Sequence, residues 1–224
     1  MFNLEERTPW DNIKLTGTFG FLGGYTAILS LLLLGIFVNS MTINATNSGL
    51  ALARQDLKYF AEVFMVLISF VAGAFLSTKI FDRFNHVPVL LLQATLLLLI
   101  GIEKIGLPYE AWLAAMSMGL QNALTTCVSW DSGKVQTTHV TGTSTDIGIA
   151  IANLNYRKVF HLSFLLGFYF LGSLIAIFVS RKIGYQAFIL GVIIILAALA
   201  IDTVFYLIKN KQPSDSQNEE HSHA

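Results

Sequence analysis

The sequence predicts an all-α integral membrane protein with six transmembrane helices, arranged as two inverted three-helix repeats that each carry a short polar half-helix. Three observations predict this fold. The composition is 54% hydrophobic and only 12% charged, about half the charged fraction of a soluble domain. Six apolar stretches are long enough to cross a bilayer. A polar motif recurs at a constant offset of 99 residues (141 − 42 = 99).

The six apolar stretches follow one another with short polar breaks. They lie near residues 15–38, 59–80, 88–106, 109–128, 159–180 and 184–208. A helix needs about 20 residues to cross the hydrocarbon core, so the lipid bilayer is the expected partner of the chain. Residues 1–14 form an N-terminal segment before the first stretch. Residues 209–224 are polar without an apolar period and are expected to be a disordered tail.

The distribution of charge predicts the orientation and argues against several functions. In a six-span model, the side that carries both termini holds nine Lys and Arg residues and the other side holds five. The positive-inside rule therefore places both termini in the cytoplasm. A net charge of zero gives no reason to expect nucleic acid as a partner. The single cysteine, Cys127, excludes a disulfide framework within the chain, and we expect no cofactor and no metal.

The 99-residue offset extends well beyond the polar motif. It aligns Gly20 with Gly119 and Gly73 with Gly172, and it superimposes the apolar stretches without a gap. We therefore predict two repeats, at residues 15–107 and 114–206. Because three crossings are an odd number, the two repeats would enter the membrane from opposite sides, as in many transporters.

Each motif places small residues on one helical face. Thr42, Thr46 and Gly49 are spaced i, i+4, i+7, and the second motif repeats this spacing 99 residues later. We expect these faces to be buried against neighbouring helices, so that Gly148→Leu would disrupt packing. Twelve helical residues span about 18 Å, roughly half the bilayer core, which favours half-helices that re-enter the membrane. The alternative is a surface helix whose threonines are solvated in the headgroup layer.

Two stretches carry a resemblance to a known family. The second half reads Gly119-Leu-Gln121-Asn122-Ala123, followed by Thr137-Thr138-His139-Val-Thr141-Gly142-Thr-Ser-Thr145-Asp146-Ile-Gly148. Met41-Thr42-Ile43-Asn44 is similar to the Met-Thr-Gly-Asn element of the same family, with Ile43 in place of glycine. Over residues 15–208 the chain thus resembles the YoaK-like family. The resemblance implies a multi-pass protein of about six helices in the bacterial inner (cytoplasmic) membrane, without an established activity.

The polar residues inside this apolar chain are the candidate site. The candidate substrate-binding residues are Thr42, Asn44, Thr46, Gln121, Asn122, Thr138, His139, Thr141, Thr145 and Asp146. Paired half-helices and polar groups within the spans predict a transporter or channel for an unknown small solute, polar or anionic, because helix N-termini attract negative charge. The alternatives are a non-catalytic membrane scaffold or regulator and, less favoured, an intramembrane enzyme. The sequence has no nucleophile-elbow, zinc or phosphate-loop motif, so we expect no enzyme. A homo-oligomer is compatible with the sequence.

His139 and Asp146 are the only ionisable pair in the polar centre of the second motif. Histidine titrates near pH 6.5, so a pair of this kind could take up and release a proton as the solute passes. The alternative is that Asp146 only caps or orients the half-helix, as the neutral Asn47 at the matching position indicates.

Overall fold

The computed structural model describes residues 9–103, 105–127 and 140–210. This part of the chain contains helices and no strand. The helices are α1 (Pro9–Leu29), α2 (Met41–Ala53), α3 (Leu57–Phe84), α4 (Val87–Gly101), α5 (Tyr109–Cys127), α6 (Val140–Ala152), α7 (Tyr156–Ile183) and α8 (Ala187–Asn210). A π-helical turn, Ser30–Leu34, extends α1, and a 3₁₀ turn, Gly184–Gln186, joins α7 to α8. The predicted N-terminal segment is already helical from Pro9, and most of the predicted tail lies outside the described residues.

Three helical segments are long and apolar enough to cross a membrane: Ile13–Leu34, Leu57–Phe84 and the continuous Tyr156–Val204. The last segment contains both α7 and α8, which correspond to two of the predicted spans. α4 is apolar but has only 15 residues. α5 carries Glu110, Gln121 and Asn122 and is not among the helices that are long and apolar enough to cross a membrane. The described part of the chain is therefore all-helical, and its long apolar helices indicate a membrane protein.

α3 and α7 expose large apolar side chains along much of their length. These include Phe64, Ile68, Val71 and Phe75 on α3, and Phe170, Leu174 and Phe178 on α7. In contrast, the large fully buried side chains lie mainly on α1, α4 and α5. The bundle thus has α1, α4 and α5 at its centre and α3 and α7 at its periphery. An apolar outer face of this kind fits hydrocarbon as the surrounding solvent.

Glycines set the closest contacts between helices. α1 packs chiefly against α7, and α3 chiefly against α5. A Cβ atom at Gly73 of α3 would collide with the carbonyl oxygen of Met116 of α5, and one at Gly119 would collide with that of Phe70. Gly172 of α7 lies in the same way against the carbonyl oxygen of Phe21 of α1. These pairs use small residues to bring two backbones together, as helices in membranes commonly do.

The helix bounds themselves recur at the 99-residue offset. α2 begins at 41 and ends at 53, and α6 begins at 140 and ends at 152. α3 and α7 match equally well, at 57–84 and 156–183. The turns match too, since Gln55 and Leu154 both have positive φ. Asp56 and Asn155 then cap the following helices by accepting the N–H of Tyr59 and Lys158. The same local structure is therefore built twice.

The segment between α1 and α2 folds back into the bundle. The π-helical turn ends at Gly35, whose φ of 71° lies in the left-handed region that glycine tolerates best. Val38 is fully buried, and the Asn39 side chain donates a hydrogen bond to the Tyr169 hydroxyl at 2.6 Å. The backbone of Tyr169 lies against Gly24, ten residues or about 15 Å before the end of the π-helical turn. α2 therefore starts deep in the bundle rather than at its edge.

Candidate functional site

Buried polar side chains hold the first half-helix in place. Asn44 is 1% exposed, and its Nδ2 donates to the carbonyl oxygen of Phe37 in the folded-back segment at 2.6 Å. One turn later, the Ser48 hydroxyl donates to the carbonyl oxygen of Asn44 at 2.8 Å. Asn44, Ser48 and Ala51 form the buried face of α2, which packs against α3. The predicted site residue Asn44 thus fixes the deep end of the helix.

The predicted burial of the small-residue faces is wrong. Thr42, Thr46 and Gly49 are exposed, and the Thr46 hydroxyl donates to the carbonyl oxygen of Thr42 at 3.0 Å. α6 is the same, with Thr141, Thr145 and Gly148 exposed. Among the described residues, a Cβ atom added at Gly49 or Gly148 would meet no atom within 4 Å. The Gly148→Leu change is therefore not expected to disrupt packing inside this chain.

The physical reason is that α2 carries two stripes with the same spacing. Thr42, Thr46 and Gly49 form one of them. Asn44, Ser48 and Ala51 form the other, about 200° further round the helix and so on nearly the opposite face, since each residue turns it by about 100°. The second stripe packs against α3 because Asn44 can reach the free carbonyl of Phe37. Spacing alone did not distinguish the two stripes.

The second half-helix places its acid beside a cation. Asp146 Oδ2 lies 3.9 Å from Lys158 Nζ on α7, and both side chains are partly exposed. Thr143 and Ala150 form the buried face of α6. Thr138 and His139 lie outside the described residues, so the predicted pairing of His139 with Asp146 stays a prediction.

The amide pair predicted on α5 is divided between two environments. Gln121 is fully buried, and its Nε2 donates to the carbonyl oxygen of Phe19 on α1 at 2.9 Å. Its Oε1 accepts the Nε2 of Gln93 on α4 at 3.0 Å, in a contact between two fully buried side chains. Asn122 is only partly buried, and its backbone carbonyl oxygen accepts a hydrogen bond from the Thr126 hydroxyl at 2.7 Å.

Two polar residues of the site were not predicted from the sequence. Gln93 is the only amide in the apolar run of α4, and this isolation was a usable signal. His86, in the turn before α4, has its Nε2 3.2 Å from Asp202 Oδ2 on α8. A histidine two residues before a proline gave no sign of a partner more than one hundred residues away.

The predicted residues therefore fall into separate groups. Asn44 belongs to the folded-back segment, Gln121 to a buried amide chain that links α1, α4 and α5, and Asp146 to a pair with α7. Thr42, Thr46, Thr141 and Thr145 lie on open helix faces. The most deeply buried of these groups is the amide chain.

The comparisons with known proteins bear on the family alone. Neither the curated proteins nor the solved structures contain a match to this chain. A family model described as a protein of unknown function (DUF1275) matches residues 15–201. The match includes all the helices that hold the polar groups described above, up to the last turns of α8. It also covers far more than half of the 224 residues, and the chain therefore belongs to the DUF1275 family.

Proposed function

We propose that the chain is a membrane transporter or channel for a small polar or anionic solute. The observation that carries the proposal is the deep start of α2, which the contact between Asn39 and Tyr169 holds near the middle of the bundle. Backbone that leaves the helix at such a depth is tolerated where protein buries it or where it lines a cavity. The Ser40 side chain does not cap α2, so its first N–H groups suit the negative end of a solute.

The second part of the proposal is an inverted repeat with six crossings. It is supported by the recurrence of helix bounds and turns at the 99-residue offset. The helix packing follows the same repeat. The offset makes α1 equivalent to α5 and α3 equivalent to α7, and α1 packs against α7 just as α5 packs against α3. Two halves related by an axis in the membrane plane would pair in this manner.

The location of the chain forms part of the same proposal. Nine Lys and Arg residues against five favour both termini in the cytoplasm. The resemblance to the YoaK-like family favours the bacterial inner membrane. The cytoplasmic position of the termini depends on the six-crossing arrangement and is tested with it, whereas the choice of membrane rests on the resemblance.

The twin turns at Gln55 and Leu154 provide a test of the inverted arrangement. In a chain with Cys127→Ser, a cysteine placed at position 55 is expected to react with an impermeant maleimide from the periplasmic side. A cysteine at position 154 is expected to react only from the cytoplasmic side. Labelling of intact cells and of inverted vesicles measures both. Reaction of the two positions from one common side would contradict the inverted repeat.

Uptake by purified protein in liposomes tests the function. A panel of small anions, sugars, amines and amides, with and without a proton gradient, is expected to contain at least one solute that enters faster than into protein-free liposomes. Asn39→Leu is expected to reduce that uptake at least about tenfold, because it releases the start of α2 from Tyr169. Thr78→Ala is the control, since Thr78 is an exposed polar residue on α3 and is not among the candidate site residues. No uptake across the panel would instead favour the scaffold or regulator.

Proton coupling is a separate part of the proposal. If His139 and Asp146 carry the proton, His139→Gln and Asp146→Asn are each expected to flatten the pH dependence of uptake while the protein stays folded. The ion pair of Asp146 with Lys158 provides the control, because Lys158→Gln removes the partner of Asp146 without removing a carboxylate. An unchanged pH profile in both variants would contradict coupling through this pair.

A further inference from the structure

Three central helices are linked by a short chain of side-chain amides. Phe19 on α1, Gln121 on α5 and Gln93 on α4 are each no more than 1% exposed. The hydrogen bonds between them are 2.9 Å and 3.0 Å long and join positions far apart in the sequence. This row of hydrogen-bonded amides is therefore a tertiary feature, formed where the three helices meet.

The direction of these hydrogen bonds is determined at one end. The carbonyl oxygen of Phe19 can only accept, so the side of the Gln121 amide that faces it must be the NH₂ group. The Gln121 oxygen then faces Gln93 and must accept, so Gln93 presents its own NH₂ group. Consequently the Gln93 oxygen points away from the Gln121 amide. Exchanging the N and O atoms of either amide would break a hydrogen bond.

This terminal oxygen is an acceptor without a donor. Within the described part of the chain, no donor lies within hydrogen-bonding distance of Gln93 Oε1, although the side chain is fully buried. The same is true of the Ser117 hydroxyl, one turn before Gln121 on α5. Residues seven and eleven positions apart in a helix lie within about 40° of each other, so Glu110, Ser117 and Gln121 share one buried face. An unpaired buried polar group costs about 1–3 kcal/mol, and two such groups occur here.

We propose that Gln93 Oε1 and the Ser117 hydroxyl, one turn before Gln121 on α5, form a binding site at the junction of α1, α4 and α5 for a small uncharged molecule that donates hydrogen bonds. Its N–H or O–H group satisfies the Gln93 oxygen. Water and a neutral solute share this chemistry; the solute as occupant rests on the proposed transport function. An anion is disfavoured because the group that faces it, the Gln93 oxygen, is a hydrogen-bond acceptor. A cation is disfavoured because the nearest acid on this face of α5, Glu110, lies about 10 Å along the helix from Ser117.

Infrared spectroscopy tests the site without requiring transport. Glutamine labelled with ¹³C at the side-chain carbonyl is incorporated into the parent protein and into the Gln93→Leu, Gln121→Leu double variant. The difference spectrum then contains the carbonyls of these two residues alone. We expect both bands at the lower wavenumber of hydrogen-bonded amides. One bonded and one free band would overturn the proposal, whatever the protein transports.

Flux of urea and nitrate distinguishes the two occupants. Both probes are small, planar and trigonal, but urea carries N–H donors and nitrate carries only acceptors. If the solute occupies the site, urea at low millimolar concentration enters proteoliposomes at least tenfold faster than protein-free liposomes, and nitrate does not. The double variant abolishes this difference, and Thr95→Ala, at an exposed position two residues after Gln93, keeps it.

Each further outcome has a defined meaning. Two bonded carbonyl bands without urea flux would support the site with water as its occupant, and would count against transport of neutral donors. Nitrate entering faster than urea would overturn the selectivity for donors. If the double variant does not fold, Ser117→Ala replaces it in the flux assay and is expected to lower urea entry severalfold.

Discussion

Gly73→Ala is expected to lower the free energy of unfolding by about 3 kcal/mol, at the upper end of the usual cost of overpacking. The new Cβ would collide with the carbonyl oxygen of Met116. A backbone atom cannot rotate away as a side chain can, so α3 and α5 must separate along a contact that Gly119 and Phe70 also form. The loss is measured by unfolding in mixed micelles. It outweighs the roughly 1 kcal/mol that alanine gains over glycine in a helix.

Gly49→Ala is the matched control, because the same substitution there meets no atom of the described residues within 4 Å. It is expected to stabilise the protein by about 0.5–1 kcal/mol. The two variants differ only in what surrounds the added methyl group. Equal stability of Gly73→Ala and Gly49→Ala would show that α3 and α5 are not in close contact.

Gln121→Leu is expected to cost about 3 kcal/mol, because it leaves the buried Gln93 amide without its acceptor. Gln93→Leu removes the donor to Gln121 and is expected to cost about 1–3 kcal/mol. The double variant leaves no amide unpaired and replaces both with apolar groups of similar size. We expect its stability to lie within about 1 kcal/mol of the parent.

A double-mutant cycle in the same micelles measures this coupling. The two single changes are expected to be strongly non-additive, with the second change restoring most of what the first removes. Thr95→Val gives the cost of a polar-to-apolar change at an exposed position of α4. If the losses of the two single variants simply add, the two amides do not depend on each other.

The local features of the fold could be predicted from the sequence in detail. Two short helices were predicted from the motifs at 41–53 and 140–152, and α2 and α6 have these bounds. The signal was strong because small polar residues were bounded on both sides by apolar runs. The sequence also contained a signal for helix packing through Gly73 and Gly119, since the offset aligns each of them with a glycine in the other half.

Tertiary choices were harder to predict. The open face of α2 was taken for its buried face, because two stripes of equal spacing compete and the deciding carbonyl belongs to Phe37, outside the helix. Gln93 was missed because the offset aligns it with an apolar residue, Val192. The contact of His86 with Asp202 joins the turn before α4 to helix α8, and only the packing of α4 on α8 brings these two residues together.

The pairing of helices between the two halves has a consequence for how the chain is made. α3 leaves the ribosome well before α5, and α1 has to remain without α7, its main partner, until more than 150 residues have been synthesised. The helix surfaces around Gly24 and Gly73 therefore lack the helices they pack against during most of translation. Contacts between sequence-distant segments form late and leave intermediates open to wrong partners and proteases. Correct folding of the nascent chain thus requires that α1 and α3 stay in the membrane without their partner helices until the second half has been synthesised.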